Sequence, residues 1–326
     1  MDTLRLLREK MAGVAPGLSA AYLHAGRADL QVLGNAQTAP HPAPLHAGAL
    51  YDLASLTKVI GTTTLFLQAL DAGKVALDQP IATLVPEFTG TTTFRQALTH
   101  TSGLEGYIPH RDDLAAPALR QALLTQLSVT PEVDQVVVYR DVNLLLVGWA
   151  LERLDLAPIQ TLITHRVLRP LDLPQATFTP HPERCVPTSY SPEFGLRQGR
   201  VHDPKSAVLG CHSGAAGLFA SLEDLMRFSE FAFGTRQSPA WPASFARLAE
   251  DYTVNGLGRS LGWDLRTDAA GRTWLYHTGF TGTFWLLAPA LRQSVIVLTN
   301  RVHPRPNLAF LDRRDEFVAA FLKAQH

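Results

Sequence analysis

Residues 273–300, TWLYHTGFTGTFWLLAPALRQSVIVLTN, decide the fold class of this chain. They contain three short apolar or β-branched runs, Thr273 to His277, Gly282 to Ala288 and Ser294 to Asn300, at the spacing of an antiparallel meander. The other end of the chain holds two more, Gly17 to His24 and Asp29 to Leu33, joined by the turn-forming Ala25-Gly26-Arg27. Together they predict one antiparallel sheet of about five strands built from both chain ends. Leu4, Leu6 and Leu7 alternate with Arg5, Arg8, Glu9 and Lys10, and Leu308 to Ala324 has helical spacing. These two segments are expected to be helices that cover the sheet.

Between the ends the pattern is helical. Ser55 to Leu70 is apolar on most sides and stops at Asp71-Ala72-Gly73, which predicts a central, buried helix. Thr93 with Gln96, and Ser221 with Asp224, have capping-box spacing before helices near Phe94 to His100 and Leu222 to Phe233. Further helices are expected at Leu114 to Leu127, Val142 to Leu154 and Pro158 to Arg166, and Pro180 to Gly217 reads as a long loop. The class is therefore α+β, a single domain over 1–326. Its sheet-bearing subdomain is expected at 1–75 plus 215–326, with a mainly helical insertion at 76–214.

Composition narrows the function. Hydrophobic residues at 46% and charged residues at 18% exclude disordered and fibrous classes. Lys and Arg number 29, as do Asp and Glu, so nothing draws the chain to nucleic acid or an anionic membrane. No apolar run approaches the roughly 20 residues of a membrane span, and charges interrupt the first ten residues where a signal peptide needs an unbroken apolar core. A cytoplasmic protein with a small-molecule partner is expected; the oligomeric state is not readable. Cys185 and Cys211 lack disulfide-framework or zinc spacing and read as buried small residues, and none of the 12 histidines has ligand spacing, so no metal or cofactor is expected.

There is no GxGxxG, P-loop, HExxH or GxSxG. What remains is Ser55-Leu56-Thr57-Lys58 at the start of the buried helix, whose spacing puts hydroxyl and amine on one face, a turn apart. A serine hydroxyl is a poor nucleophile until a base takes its proton, and a desolvated lysine with a lowered pKa can be that base. With 14 serines and five lysines, roughly 0.2 such pairs arise by chance, so position carries the reading more than spacing does. The alternative is an N-cap serine and a surface lysine, but a lone lysine on a nearly all-apolar helix is costly to bury.

Tyr139-Arg140-Asp141 precedes the apolar helix from Val142. A tyrosine near a lysine can relay a proton, and Asp141 or Asn143 can orient a substrate amide or the lysine; the plainer reading is that Asp141 caps the helix. His277-Thr278-Gly279 ends a predicted strand and is followed by Phe280. A strand edge ending in glycine lets substrate approach the backbone, where an N–H can join that of Ser55 in an oxyanion hole; the alternative is a turn with an exposed histidine.

In this order the three motifs resemble those of the serine β-lactamase and penicillin-binding protein superfamily, closest to its class C-like branch with esterases and DD-peptidases. Leu98 to Leu104 (LTHTSGL), Val201-His202-Asp203-Pro204, Ala216-Gly217-Leu218-Phe219 and Leu298-Thr299-Asn300-Arg301 extend the resemblance over roughly Pro16 to Pro304. The resemblance implies that Ser55 is acylated, that Lys58 and Tyr139 share acid–base work, and that His277, Thr278 and Gly279 line the substrate strand. It also implies an oxyanion hole from the N–H groups of Ser55 and Phe280, and an antiparallel sheet flanked by helices with a helical insertion.

Two positions depart from the pattern. His277 stands where many β-lactamases have lysine, and an imidazole of ordinary pKa near 6.5 carries little charge above neutral pH. Asp141 stands where class C enzymes have asparagine, replacing an amide donor by an acceptor. Both weigh against efficient β-lactam hydrolysis. The leading expectation is a β-lactamase-like serine hydrolase acting through an acyl-enzyme on a β-lactam, ester or amide. The alternatives are a DD-peptidase, a non-catalytic binding protein on the same fold, and a different layout with Ser213 as nucleophile beside His202 and Asp203.

Overall fold

The computed structural model describes residues 2–325. Its centre is a seven-stranded, wholly antiparallel sheet. The strands are β1 (Gly17–His24), β2 (Arg27–Gln37), β3 (Ala43–Pro44), β10 (Asp264–Thr267), β11 (Thr273–Thr278), β12 (Phe284–Ala288) and β13 (Gln293–Thr299), in the order β10-β11-β12-β13-β1-β2-β3. The five expected strands form its middle. The two additional strands are short edges: β3 is a two-residue strand ending in a proline, and β10 carries charged and polar residues without an apolar alternation.

Successive residues of each inner strand feed opposite cores. Leu18, Ala20, Trp274, Tyr276, Phe284, Leu286, Val295 and Val297 face α1 (Thr3–Met11) and α9 (Ala309–Lys323), where Leu7, Met11, Phe317 and Phe321 complete one apolar layer. Ala21, Leu23, Leu275, Trp285, Leu287, Ile296 and Leu298 face the other way, into the larger core. There Phe228 of α8 (Leu222–Ala232) meets Trp285 edge-on.

The larger core is shared with α3 (Phe94–Thr99), α4 (Ala116–Thr125), α5 (Asp141–Asp155) and α6 (Ile159–Ile163). Every residue of α5 from Val142 to Glu152 is buried. Both capping boxes form, at Thr93/Gln96 and Ser221/Asp224. The central helix expected over Ser55 to Leu70 is a six-residue π-helical segment, Lys58–Thr63, running into α2 (Thr64–Asp71).

Three two-stranded ribbons complete the structure: β4 (Tyr51–Asp52) with β9 (Phe219–Ala220), β5 (Leu104–Glu105) with β6 (Ser128–Val129), and β7 (Ser189–Ser191) with β8 (Gly195–Arg197). The stretch expected as one long loop thus holds β7, β8 and α7 (Pro204–Leu209). Each piece is too short to leave a periodic pattern. Cys185 is buried, as expected, whereas Cys211 is exposed on a short 3₁₀ turn.

Candidate active site

Ser55 sits on a turn anchored from both sides. Asp52, at the end of β4, accepts from the Ala54 N–H at 2.8 Å and, with its other oxygen, from the His202 N–H at 2.7 Å. Ala54 has a left-handed φ of 46°, a conformation that costs energy for a residue with a Cβ and turns the chain sharply into Ser55. Thr281 and Thr283, on the turn between β11 and β12, donate to the carbonyls of Asp52 at 2.7 Å and Leu53 at 3.2 Å. A Cβ at Gly279 would lie 2.5 Å from the Leu53 carbonyl oxygen and 2.1 Å from Thr283 Oγ1. Glycine is thus what lets the end of β11 reach the serine turn.

Lys58 is 1% exposed, and its ammonium donates to three oxygens: Ser55 Oγ at 2.8 Å, Asp141 Oδ1 at 2.8 Å and the Ala215 carbonyl at 2.9 Å. Burial pulls its pKa down, as the sequence suggests, but the Asp141 carboxylate and then Tyr139 pull it up and prevail, leaving the amine above its ordinary 10.5. For Asp141 burial acts upward, while Lys58 and Lys205 act downward and hold the carboxyl well below the usual range. Lys205 reaches Asp141 Oδ2 at 3.0 Å. The Tyr139 ring centre lies 5.3 Å from Lys58 Nζ.

Ser55, Tyr139 and Asp141 share with Thr278, Gly279 and Phe280 the wall of a cavity of about 670 Å³, and Lys58 lies buried behind it in contact with Ser55 and Asp141. The N–H groups of Ser55 and Phe280 have no acceptor among the described residues. His277 is not on that wall. It is buried behind Tyr139, with ring centres 6.0 Å apart, and its Nδ1 donates to the Thr278 carbonyl at 2.9 Å. Burial, then Lys58 and Arg259, push its pKa well below 6.5, so the ring is neutral.

Asn143 is not brought to Ser55 either. It is fully buried, accepting from Ser102 Oγ at 2.7 Å and bonded to His100 Nδ1 at 3.1 Å. Two positions, about half a helical turn, separate a residue that faces the cavity from one that braces its wall: Asp141 starts α5, whereas Asn143 points into the packed LTHTSGL segment. The Ser213 layout does not assemble: Ser213 is fully buried and its hydroxyl donates to Ser206 Oγ at 2.8 Å. Among the described residues no three His, Cys, Asp or Glu side chains are placed to hold a metal ion.

Three cationic residues of the cavity, Lys205, Arg301 and Arg314, were not read as site residues from the sequence. Lys205 follows the His202-Asp203-Pro204 segment, and only that segment's proximity to Ser55 gives it meaning. Arg301, within the LTNR segment, is 4% exposed, makes no ion pair among the described residues and packs its guanidinium 4.9 Å from the Phe280 ring centre.

The family model described as Beta-lactamase matches residues 4–320. The chain belongs to the beta-lactamase family. A protein of Escherichia coli (strain K12), provisionally named a D-alanyl-D-alanine carboxypeptidase, is 25% identical over 309 residues, covering 80% of this chain and 71% of that one. A solved class C β-lactamase superposes with a TM-score of 0.79 at 20% identity, over 100% of this chain and 95% of the other. A β-lactamase/D-alanine carboxypeptidase from Pseudomonas syringae superposes with a TM-score of 0.75 at 20% identity, over 97% of each chain. This member of the beta-lactamase family is a serine hydrolase of the β-lactamase and penicillin-binding type. Among its described residues no helix is long and apolar enough to cross a membrane.

Proposed function

We propose that the protein hydrolyses a small ester, amide or β-lactam by acyl transfer through Ser55. The observation that carries this reading is the 2.8 Å contact between buried Lys58 Nζ and the Oγ of Ser55, a residue that lines the cavity. The Ser55 oxygen attacks the carbonyl carbon while its proton passes to the Lys58–Tyr139 pair. The oxyanion is held by the Ser55 and Phe280 N–H groups, the leaving group takes the proton back, and water then cleaves the acyl-Ser55 ester.

Because Lys58 is held as an ammonium by Asp141, it acts chiefly as a charge that lowers the cost of deprotonating its neighbours. With Lys58 already fully protonated, the Ser55 proton can be taken only by the Tyr139 oxygen once that phenol has given up its own proton, so the base is the phenolate. Comparing turnover of p-nitrophenyl butyrate and a penicillin by wild type and Ser55→Ala tests the assignment. Retained turnover in the variant overturns it.

A DD-carboxypeptidase reading has one observation in its favour. Arg301, buried and without a carboxylate partner among the described residues, lines the cavity beside Phe280, where it suits the terminal carboxylate of a peptide. It supplies the cation that neutral His277 does not. A cytoplasmic setting goes with the small-substrate reading, and recovery of the protein from a surface fraction would shift the balance to the peptidase.

A further inference from the structure

We propose that Lys205 is a positioning residue for the Ser55 chemistry: it occupies the second oxygen of Asp141 and so limits how tightly that carboxylate holds the Lys58 proton. This rests on the reading of Ser55 and Lys58 given above. Asp141 lies between two ammonium groups, Lys58 Nζ at 2.8 Å from Oδ1 and Lys205 Nζ at 3.0 Å from Oδ2. Lys205 is only 17% exposed, and its other neighbour is Asp203 Oδ2 at 3.6 Å. Cations and anions therefore alternate in one row: Lys58, Asp141, Lys205, Asp203. The row is held to the nucleophile turn, because the His202 N–H bonds the same Asp52 carboxylate that fixes Ala54. Asp203 caps α7 through the Ser206 N–H at 2.7 Å, which fixes the first turn of the helix, on which Lys205 stands.

The charges around this row leave Lys205 as the second close cation on Asp141. Behind it, His100 and His277 are neutral through burial, and Arg259 is directed at Asp264, 3.9 Å away. Tyr139 borders both cavities that meet at the row. On one side Arg301 and Arg314 line the Ser55 cavity; on the other Glu105, Arg111 and Asp113 line a cavity of about 520 Å³.

Removing Lys205 has one electrostatic sign at each member of the site. Asp141 turns its full charge on Lys58, which also loses a nearby cation and so holds its proton more firmly. In Lys205→Met the rising limb of the acylation rate against pH should move to higher pH by roughly one unit, a tenfold loss of rate at fixed pH below the limb. Lys205→Arg should restore the wild-type profile, and in an Asp141→Asn background Lys205→Met should move it much less. A residue that only props up the loop would lower the rate equally at every pH, and that result overturns the proposal.

A second readout does not depend on turnover. With aspartate labelled at the carboxyl carbon and the Asp141 signal assigned by its loss in Asp141→Asn, acid titration should show the Asp141 midpoint rising in Lys205→Met. An unmoved midpoint overturns the proposal even if Ser55 is confirmed as the nucleophile. A raised midpoint in a protein that does not acylate through Ser55 would sustain the electrostatic pairing and overturn the catalytic reading on which its role depends.

Discussion

Asp141 Oδ1 and Ser55 Oγ each lie 2.8 Å from Lys58 Nζ, so one buried ammonium joins the nucleophile to a carboxylate. Burial alone would push this lysine toward the neutral amine, and that is the sequence expectation. The partner reverses it: at contact distance in a site of low dielectric, an opposite charge outweighs desolvation. The consequence is chemical. In the resting site the lysine is a donor to Ser55, and the proton released on attack needs a second group; the proposed mechanism gives that role to Tyr139, which borders the same cavity.

Asp141→Asn should therefore move the rising limb of the acylation profile to lower pH, by about one unit or more, with a gain near neutral pH of up to tenfold. The amide keeps a hydrogen bond to Lys58 but not its charge, so burial regains control of the amine. Single-turnover rates from pH 5 to 10 check this. A limb that stays in place would mean that Asp141 does not set the proton affinity of the site.

Arg301→Gln should raise KM for a penicillin about tenfold while leaving KM for p-nitrophenyl butyrate within about twofold, because only the penicillin presents a carboxylate. Equal effects on both substrates would assign Arg301 to packing against Phe280.

Asp52 is fully buried, and burial raises its carboxyl to about 6 from 3.8, against the pull of the Ala54 and His202 N–H groups. Between these values the folded protein holds a proton that the unfolded chain has released, so this group makes stability fall as pH rises from about 4 to 6, by about 3 kcal/mol in all. Asp52→Asn removes the titration. Urea unfolding of both proteins at pH 4 and pH 7 should show the wild type losing more stability over that interval than the variant; identical changes would refute the assignment.

Gly279→Ala places a methyl group 2.5 Å from the Leu53 carbonyl oxygen. Backbone must move on one side, which should cost about 1–3 kcal/mol and separate the edge of β11 from the serine turn. Thermal melting and acylation rates should fall together; a variant with wild-type values in both would show that the close approach is not needed.

The legible parts of this protein are those in which a local pattern fixes a local structure. The short apolar and β-branched runs at both chain ends marked the middle five strands, because each has a strand's length and is bounded by turn residues. The SLTK spacing gave the Ser55–Lys58 contact, because one helical turn suffices to make it. What stayed hidden depends on contacts distant in sequence. Nothing in the local sequence says that Lys58 meets Asp141, 83 positions away, and so nothing says that Lys58 is charged. Asn143 and His277 were placed by motif at the cavity, and both lie behind its wall, since a motif marks a segment and not the direction of each side chain. The edge strands β3 and β10 were missed because neither has an apolar alternation to read.

The most direct test of the account is intact-mass and peptide mapping of wild type and Ser55→Ala after mixing with a penicillin and with p-nitrophenyl butyrate. If Ser55 is the nucleophile, an acyl adduct forms on wild type alone, on the peptide containing Ser55, with a lifetime that differs between the two compounds. An adduct of equal yield on the Ser55→Ala protein would contradict it.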